Sequence, residues 1–358
     1  MRLVAAEIDL AALAYNLAKV KRFAPHSKVM AVLKANAYGH GLVTIAKHLA
    51  DADAFAVARV DEALALRAGG LTKPIVLLEG FFHPSDLPIL LANNFQTIIH
   101  DESQLQALEQ AELEAPIATW LKIDTGMHRL GIEPSQFTAF YQRLKACQNV
   151  KEQVNLMTHF SCADDLESTK TELQMTLFRQ LVAEQGESLC LANSAGILGW
   201  PQSHGDWVRP GLMMYGVSPM LDKIGQDHGL KPVMRLTTKV IAIRSIAAGE
   251  GVGYGARWQS KSTTTLAIIA VGYGDGYPRH AKQGTPVIIK GKRYGIVGSV
   301  SMDMITVDIG DNHQGITIGD EVEMWGPNLP VEEIAQCAST IPYELLCNVT
   351  PRVSYEYS

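Results

Sequence analysis

Val29-Met30-Ala31-Val32-Leu33-Lys34-Ala35-Asn36-Ala37-Tyr38-Gly39-His40-Gly41 begins as an apolar run and ends in a polar turn bounded by glycine. Such a run, flanked by turn formers, reads as a short buried strand over Val29–Leu33. Leu42–Ala50 then continues with the apolar spacing of an amphipathic helix. Lys34 therefore sits at a strand exit, with its stem along the sheet and its amine beside a turn. Desolvation there lowers an amine pKa and makes a nucleophile able to condense with an aldehyde cofactor. A strand-end lysine can equally snorkel to water, so the rest of the chain has to decide.

The same strand-then-helix unit recurs. Apolar runs fall at Val29–Leu33, Ala54–Ala58, Pro74–Leu78, Gln96–Ile99, Ala118–Ile123, Val154–Thr158, Leu189–Ala192 and Trp207–Val208. Between them lie amphipathic stretches such as Asp61–Ala68, Glu102–Ala111, Pro134–Cys147 and Ser168–Gln185. This alternation predicts a parallel sheet, and near-continuous apolar strands favour an α/β fold of the closed (β/α)8 TIM-barrel type. Beyond Gly229–Pro232 the segments become β-branched and glycine-punctuated: Thr237–Ile243, Thr263–Val271, Thr285–Lys290, Arg293–Val297, Met304–Val307 and Glu321–Trp325. These predict a C-terminal mainly-β domain. A helix over Pro330–Ser339 and a strand over Pro351–Tyr357 follow. The expected domains are residues 1–230 and 231–358, with the first few residues packing on the C-terminal domain.

Composition narrows the class. The 358 residues are 47% hydrophobic, enough for a sizeable core. A net charge of −6 without a basic stripe argues against nucleic acid as a partner. The five cysteines are widely spaced with no CxxC pair, which indicates neither a zinc site nor a disulfide framework and suits a reducing cytoplasm. Acidic Glu7 and Asp9 come too early for a secretory apolar segment, and no apolar run approaches the roughly 20 residues of a membrane helix. A soluble, cytoplasmic protein with no metal site is expected.

In a (β/α)8 barrel the chemistry gathers at the C-terminal strand ends. Those positions carry Lys34, Arg59, Glu79, His100, Asp124, His159, Asn193 and Arg209. Helix capping and solvation would explain several of them. Arg209-Pro210-Gly211-Leu212 is the most pointed: the amides of Gly211 and Leu212 would open a helix, a ready phosphate site after the eighth strand. Lys122 lies within the fifth strand, so an inward-pointing charge there must be paired or modified. Arg129, in the following loop, could reach a carboxylate or phenolate. Asn193-Ser194-Ala195-Gly196 supplies small polar groups after the seventh strand.

The ordered conjunction of these motifs resembles the alanine racemases over nearly the whole chain. It comprises the Lys34 run, Lys122–Gly131, His159, Asn193-Ser194 and Arg209-Pro210-Gly211. It continues with Gly253-Tyr254-Gly255-Ala256-Arg257-Trp258, Gly272-Tyr273-Gly274-Asp275-Gly276, Ser301-Met302-Asp303 and Pro342-Tyr343-Glu344-Leu345-Leu346-Cys347. The resemblance implies a pyridoxal 5′-phosphate (PLP) enzyme that interconverts L- and D-alanine, for peptidoglycan or alanine catabolism, as a homodimer with shared active sites. It implies that Lys34 carries PLP and serves as one base, with Tyr254 of a second copy as the other. His159 would assist that tyrosine and line the cofactor site. Tyr38, Asn193, Ser194, Gly211, Leu212 and Tyr343 would complete the cofactor site, with Arg209 facing the pyridine nitrogen. Arg129, Met302 and Tyr273 would meet the substrate, and Lys122 matches a lysine often carbamylated in the family. Ser301 departs from members that carry cysteine there. A broader-specificity racemase acting on serine, lysine or arginine stays open, as does a PLP-binding protein without robust turnover. The latter kind resembles only the barrel half.

Overall fold

The computed structural model describes residues 3–358. Its contacts divide the chain into two units, one comprising Ala14–Met214 with Ser218–Lys223 and the other the remaining described residues. In the first, eight parallel strands close a barrel: β2 (Lys28–Val32), β3 (Ala54–Val57), β4 (Ile75–Leu77), β5 (Phe95–Ile99), β6 (Ile117–Lys122), β7 (Val150–Met157), β8 (Leu189–Asn193) and β9 (Trp207–Arg209). β9 returns to β2 through Lys28↔Trp207 and Val29↔Val208. The strands are mostly apolar because both faces are covered, the inner by other strands and the outer by helices. Helices Leu42–His48, Val60–Ala68, Glu102–Gln110, Phe137–Ala146 and Lys170–Val182 supply that cover. The longer ones bury a stripe at helical spacing, such as Phe137, Phe140 and Leu144. Inside, Trp120 meets Trp207 edge-on at 5.9 Å, and burying such a ring contributes about 1.5–3 kcal/mol or more.

Within the barrel most strand edges fall within a residue of those expected. β7 is the exception: it starts at Val150 rather than Val154, because Lys151, Glu152 and Gln153 are exposed and give no apolar signal.

The second unit is an eight-stranded sheet in the order β13 (Thr264–Ile269), β16 (Ile305–Gly310), β15 (Lys292–Val297), β14 (Pro286–Ile289), β17 (Glu321–Trp325), β10 (Met234–Ile246), β1 (Ala5–Ile8) and β18 (Ser354–Tyr357). β13 also pairs with β10, which closes six of the strands on themselves. A small hairpin, β11 (Gly251–Val252) and β12 (Trp258–Gln259), stands apart. β1 runs antiparallel to β10 and parallel to β18. The Arg235 guanidinium on β10 ties this edge together, pairing with Glu7 of β1 at 3.0 Å and with the buried Glu323 of β17 at 3.3 Å. No helix among the described residues is long and apolar enough to cross a membrane.

Candidate active site

Lys34 opens the turn that leaves β2, and that turn is wound the wrong way for L-residues. Ala35, Asn36, Ala37 and Tyr38 have φ of 53°, 55°, 54° and 52°. Left-handed helix costs about 1–2 kcal/mol per residue and normally appears as single residues. Four in succession persist only where the surroundings over-determine them, a pattern that clusters at functional sites. The clamps are visible. Ala37 N–H donates to Leu33 O at 2.8 Å and Gly41 N–H to Asn36 O at 3.0 Å. Leu42 N–H donates to Asn36 Oδ1 at 2.9 Å. Ala35 N–H donates to Glu62 Oε1 at 2.7 Å. Buried His40 points Nδ1 at Tyr38 O, 2.8 Å, and Ala37 O, 3.1 Å. Burial pulls its pKa down to about 4, so it is neutral with the proton on Nδ1.

The turn brings Tyr38 against the exit of β9. A Cβ at Gly211 would lie 2.4 Å from Tyr38 Oη, so only glycine lets backbone and phenol meet so closely. Ser194, after β8, completes this corner: its Oγ accepts from Gly211 N–H at 2.8 Å and Met213 N–H at 3.4 Å. The Gly211 amide expected to face an anion is thus engaged by a hydroxyl. The helix expected to open here is a four-residue 3-10 segment, Leu212–Tyr215. Asn193 caps the helix Ser194–Gly199, its Oδ1 accepting from Gly196 N–H at 2.9 Å.

Arg209, 5% exposed, is held almost wholly by neutral acceptors. Nη1 donates to Cys190 O at 2.9 Å and contacts its Sγ at 3.0 Å. Nη2 donates to Thr158 O at 2.8 Å, Leu191 O at 3.2 Å and His159 Nδ1 at 3.4 Å. None of these contacts uses Nε, and none involves a carboxylate. His159 is pushed well below its ordinary range by burial and by Arg209, Lys122, Arg129 and Lys34. With Nδ1 accepting from Arg209, the neutral ring carries its proton on Nε2.

Lys122, 8% exposed at the end of β6, shares this cationic field. Burial, then Arg209, Arg129 and Lys34, lower its pKa to about 7, against a weaker pull upward from Asp124. Asp124 is spent locally, since its Oδ1 accepts from Gly126, Met127 and His128 N–H at 2.9, 2.9 and 3.1 Å. Burial raises its pKa, but these bonds outweigh it and hold the carboxyl below its usual range. Arg129 is exposed in the same loop. Arg59 is exposed beside β3, and Glu79 and His100 form a separate contact through Glu79 O and Nε2 at 3.2 Å.

Two supporting residues escaped sequence reasoning. Gln174, buried on the helix Lys170–Val182, donates to His159 O at 3.0 Å and Thr125 Oγ1 at 3.2 Å, and Thr125 meets Thr158 Oγ1 at 2.7 Å. It thereby braces the exits of β6 and β7 against each other. Glu62 reads from sequence only as an acidic residue in the first turn of a helix.

The remaining candidates lie in the second unit. Tyr254 is 74% exposed on the 3-10 segment between β11 and β12. Tyr273 and Met302, 41% and 52% exposed, are drawn together: Tyr273 N–H donates to Ser301 O at 3.0 Å and Gly274 N–H to Met302 O at 2.9 Å. Arg352 locks the pair of loops through Asp303 at 2.7 Å and Asp275 at 3.3 Å. Tyr343 stands in the first turn of the helix Pro342–Cys347.

A parallel barrel with an amine, an imidazole and two guanidinium groups at its mouth, beside a hydroxyl-lined glycine corner, has the cationic, hydroxyl-rich chemistry that suits a small anionic ligand. The comparisons with known proteins resolve the class. Residues 8–219 match the model of the alanine racemase N-terminal domain, and residues 233–357 that of the C-terminal domain. Alanine racemases of Vibrio parahaemolyticus and Aeromonas hydrophila are 56% and 55% identical over the full length of both chains. The crystal structure of biosynthetic alanine racemase from Pseudomonas aeruginosa superposes with a TM-score of 0.97 at 43% identity, covering 100% of each chain. That from Acinetobacter baumannii gives 0.93 at 37%, again covering 100% of each. The chain belongs to the alanine racemase family, isomerases that interconvert L- and D-alanine.

Proposed function

We propose that this alanine racemase works with PLP and two bases, Lys34 and the Tyr254 of a second copy, acting on opposite faces of the substrate. The residues present suit the cofactor. Tyr38 Oη and Ser194 Oγ flank a glycine corner that a Cβ would fill, a fitting cradle for a phosphate. The Leu212 amide would be a further phosphate donor, and Gly211 serves by holding Ser194. When bound, PLP supplies an electron sink that acidifies the α-proton of alanine.

The observation that carries the reading is Arg209, fixed by three backbone carbonyls with Nε uncommitted to them and no carboxylate in its contacts. An arginine can only donate, so Nε suits an unprotonated ring nitrogen. With the cofactor bound, Nε would hold that nitrogen unprotonated and so weaken the electron sink, which favours proton return over side reactions. Lys34 Nζ removes or returns the proton on one face and Tyr254 Oη on the other. An ordinary tyrosine with a pKa near 10 is a weak base at neutral pH. The Nε2–H of His159 would donate to its oxygen and stabilise the phenolate. Lys122, whose pKa burial and the neighbouring cations lower to about 7, releases its proton far more readily than a surface lysine and is open to carbamylation. The carbamate would give Arg129 an anionic partner and orient it toward the substrate carboxylate. Tyr273 and the Met302 amide of the second copy would narrow the pocket to a small side chain. A soluble cytoplasmic enzyme, supplying D-alanine for peptidoglycan or feeding alanine catabolism, accords with this chemistry.

Borohydride treatment of purified protein should leave a reduced pyridoxyl mass on the peptide containing Lys34. L-alanine should lose optical activity faster than L-serine, L-lysine or L-arginine. Absence of the label sinks the cofactor assignment, and faster turnover of lysine or arginine sinks the substrate preference.

A further inference from the structure

We infer that Glu62 is a positioning residue for Lys34, through the left-handed turn that carries it. Its carboxylate divides its work. Oε2 accepts from Ala58 N–H at 2.9 Å and Arg59 N–H at 3.2 Å, which is what an acidic residue in the first turn of the helix Val60–Ala68 does to cap it. Oε1 does something capping does not require: it accepts from Ala35 N–H at 2.7 Å, across to the exit of the neighbouring strand. Ala35 directly follows Lys34 and is the first of the four residues at positive φ. The clamps from Asn36 and His40 both act within the turn itself. Glu62 ties the start of the turn to the rigid exit of β3, which is hydrogen-bonded alongside β2. A carboxylate also suits the task electronically, since two acceptor oxygens receive three N–H groups and no donor has to be placed.

Loss of this tie leaves the strained turn free to relax, carrying the Lys34 amine away from its working position without touching any group that binds substrate. The inference rests on Lys34 being a base, and its test separates the two. Glu62→Gln keeps size but sets an amide NH2 against either Ala35 N–H or the Ala58 and Arg59 pair. We expect kcat to fall about tenfold or more with KM for alanine within about twofold, as for displaced acid–base machinery. Hydrogen exchange of the peptide spanning residues 33–41 should accelerate in the same variant, a readout independent of turnover. Ala35→Gly in the Glu62→Gln background removes the steric cost of positive φ at that residue and should recover most of the lost kcat. A helix-capping role alone predicts otherwise: a lowered melting temperature, unchanged exchange at 33–41 and no rescue by Ala35→Gly. Unchanged exchange, or a double variant no better than Glu62→Gln, overturns the inference. If wild-type protein lacks the reducible label on Lys34, the functional reading fails, while the exchange result still decides whether Glu62 holds the turn.

Discussion

Gly211→Ala tests the cofactor corner with a single methyl group. The added Cβ would stand 2.4 Å from Tyr38 Oη and 3.1 Å from Cζ. Relief requires a shift on the order of 1 Å of a buried ring whose own backbone is fixed in the left-handed turn. Overpacking of this kind costs about 1–3 kcal/mol. If Tyr38 Oη donates to the phosphate, that charge-assisted bond, worth roughly 1.5–3 kcal/mol, is lost with the shift. At about 1.4 kcal/mol per decade, PLP affinity should fall roughly 10- to 100-fold. The assay is a PLP titration of stripped enzyme followed by visible absorbance, beside a thermal melt. Tyr38→Phe supplies the control, because it removes the atom that the methyl group strikes first. The two substitutions should therefore be strongly non-additive, with the double variant little worse than Tyr38→Phe. Unchanged affinity in Gly211→Ala, or two effects that simply add, would refute the proposed cradle.

Lys122→Met should raise the melting temperature most at or below pH 7 in buffer freed of carbon dioxide. Between the folded pKa of about 7 and the ordinary 10.5, the unfolded chain holds a proton that the folded chain has released, so wild-type stability climbs with pH across this window. The advantage of methionine should shrink toward pH 10, and an advantage constant with pH would contradict the buried charge. Arg209→Lys should destabilise the barrel by a few kcal/mol in denaturant titrations, at about 1–3 kcal/mol for each of the buried Thr158 and Leu191 carbonyls that loses its donor, while Cys190 O keeps Thr158 N–H at 3.3 Å. Full stability in that variant would show that the carbonyl contacts are expendable. Tyr254→Phe should slow α-proton exchange in deuterated water by about 10²-fold or more from one enantiomer, and far less from the other. Equal slowing of both would argue against separate bases.

The barrel was legible because buried parallel strands need near-continuous apolar runs, and Val29–Leu33 or Ala54–Ala58 can serve little else. Lys34, Arg209 and His159 were legible as polar interruptions at strand exits. The turn after Lys34 was not, since Ala35, Ala37 and Tyr38 have no intrinsic preference for positive φ and are held there by clamps within the turn together with the distant Glu62. Glu62 looked like an ordinary helix start for the same reason: the bond that distinguishes it spans 27 residues. β1 and the hairpin of β11 and β12 are too short to give a periodic signal, and β1 finds partners only near residues 235 and 355. The helix Leu10–Phe23 also went unread, although its apolar spacing is helical.

The sharpest test is complementation between two defective chains. Lys34→Ala and Tyr254→Phe proteins, each inactive alone, should be unfolded together in equal amounts, refolded with PLP and assayed for racemisation of L-alanine. If each site takes Lys34 from one copy and Tyr254 from the other, half the dimers are mixed and carry one intact site of two, giving about a quarter of wild-type activity. If both residues serve one site from the same chain, the mixture stays as inactive as its parts.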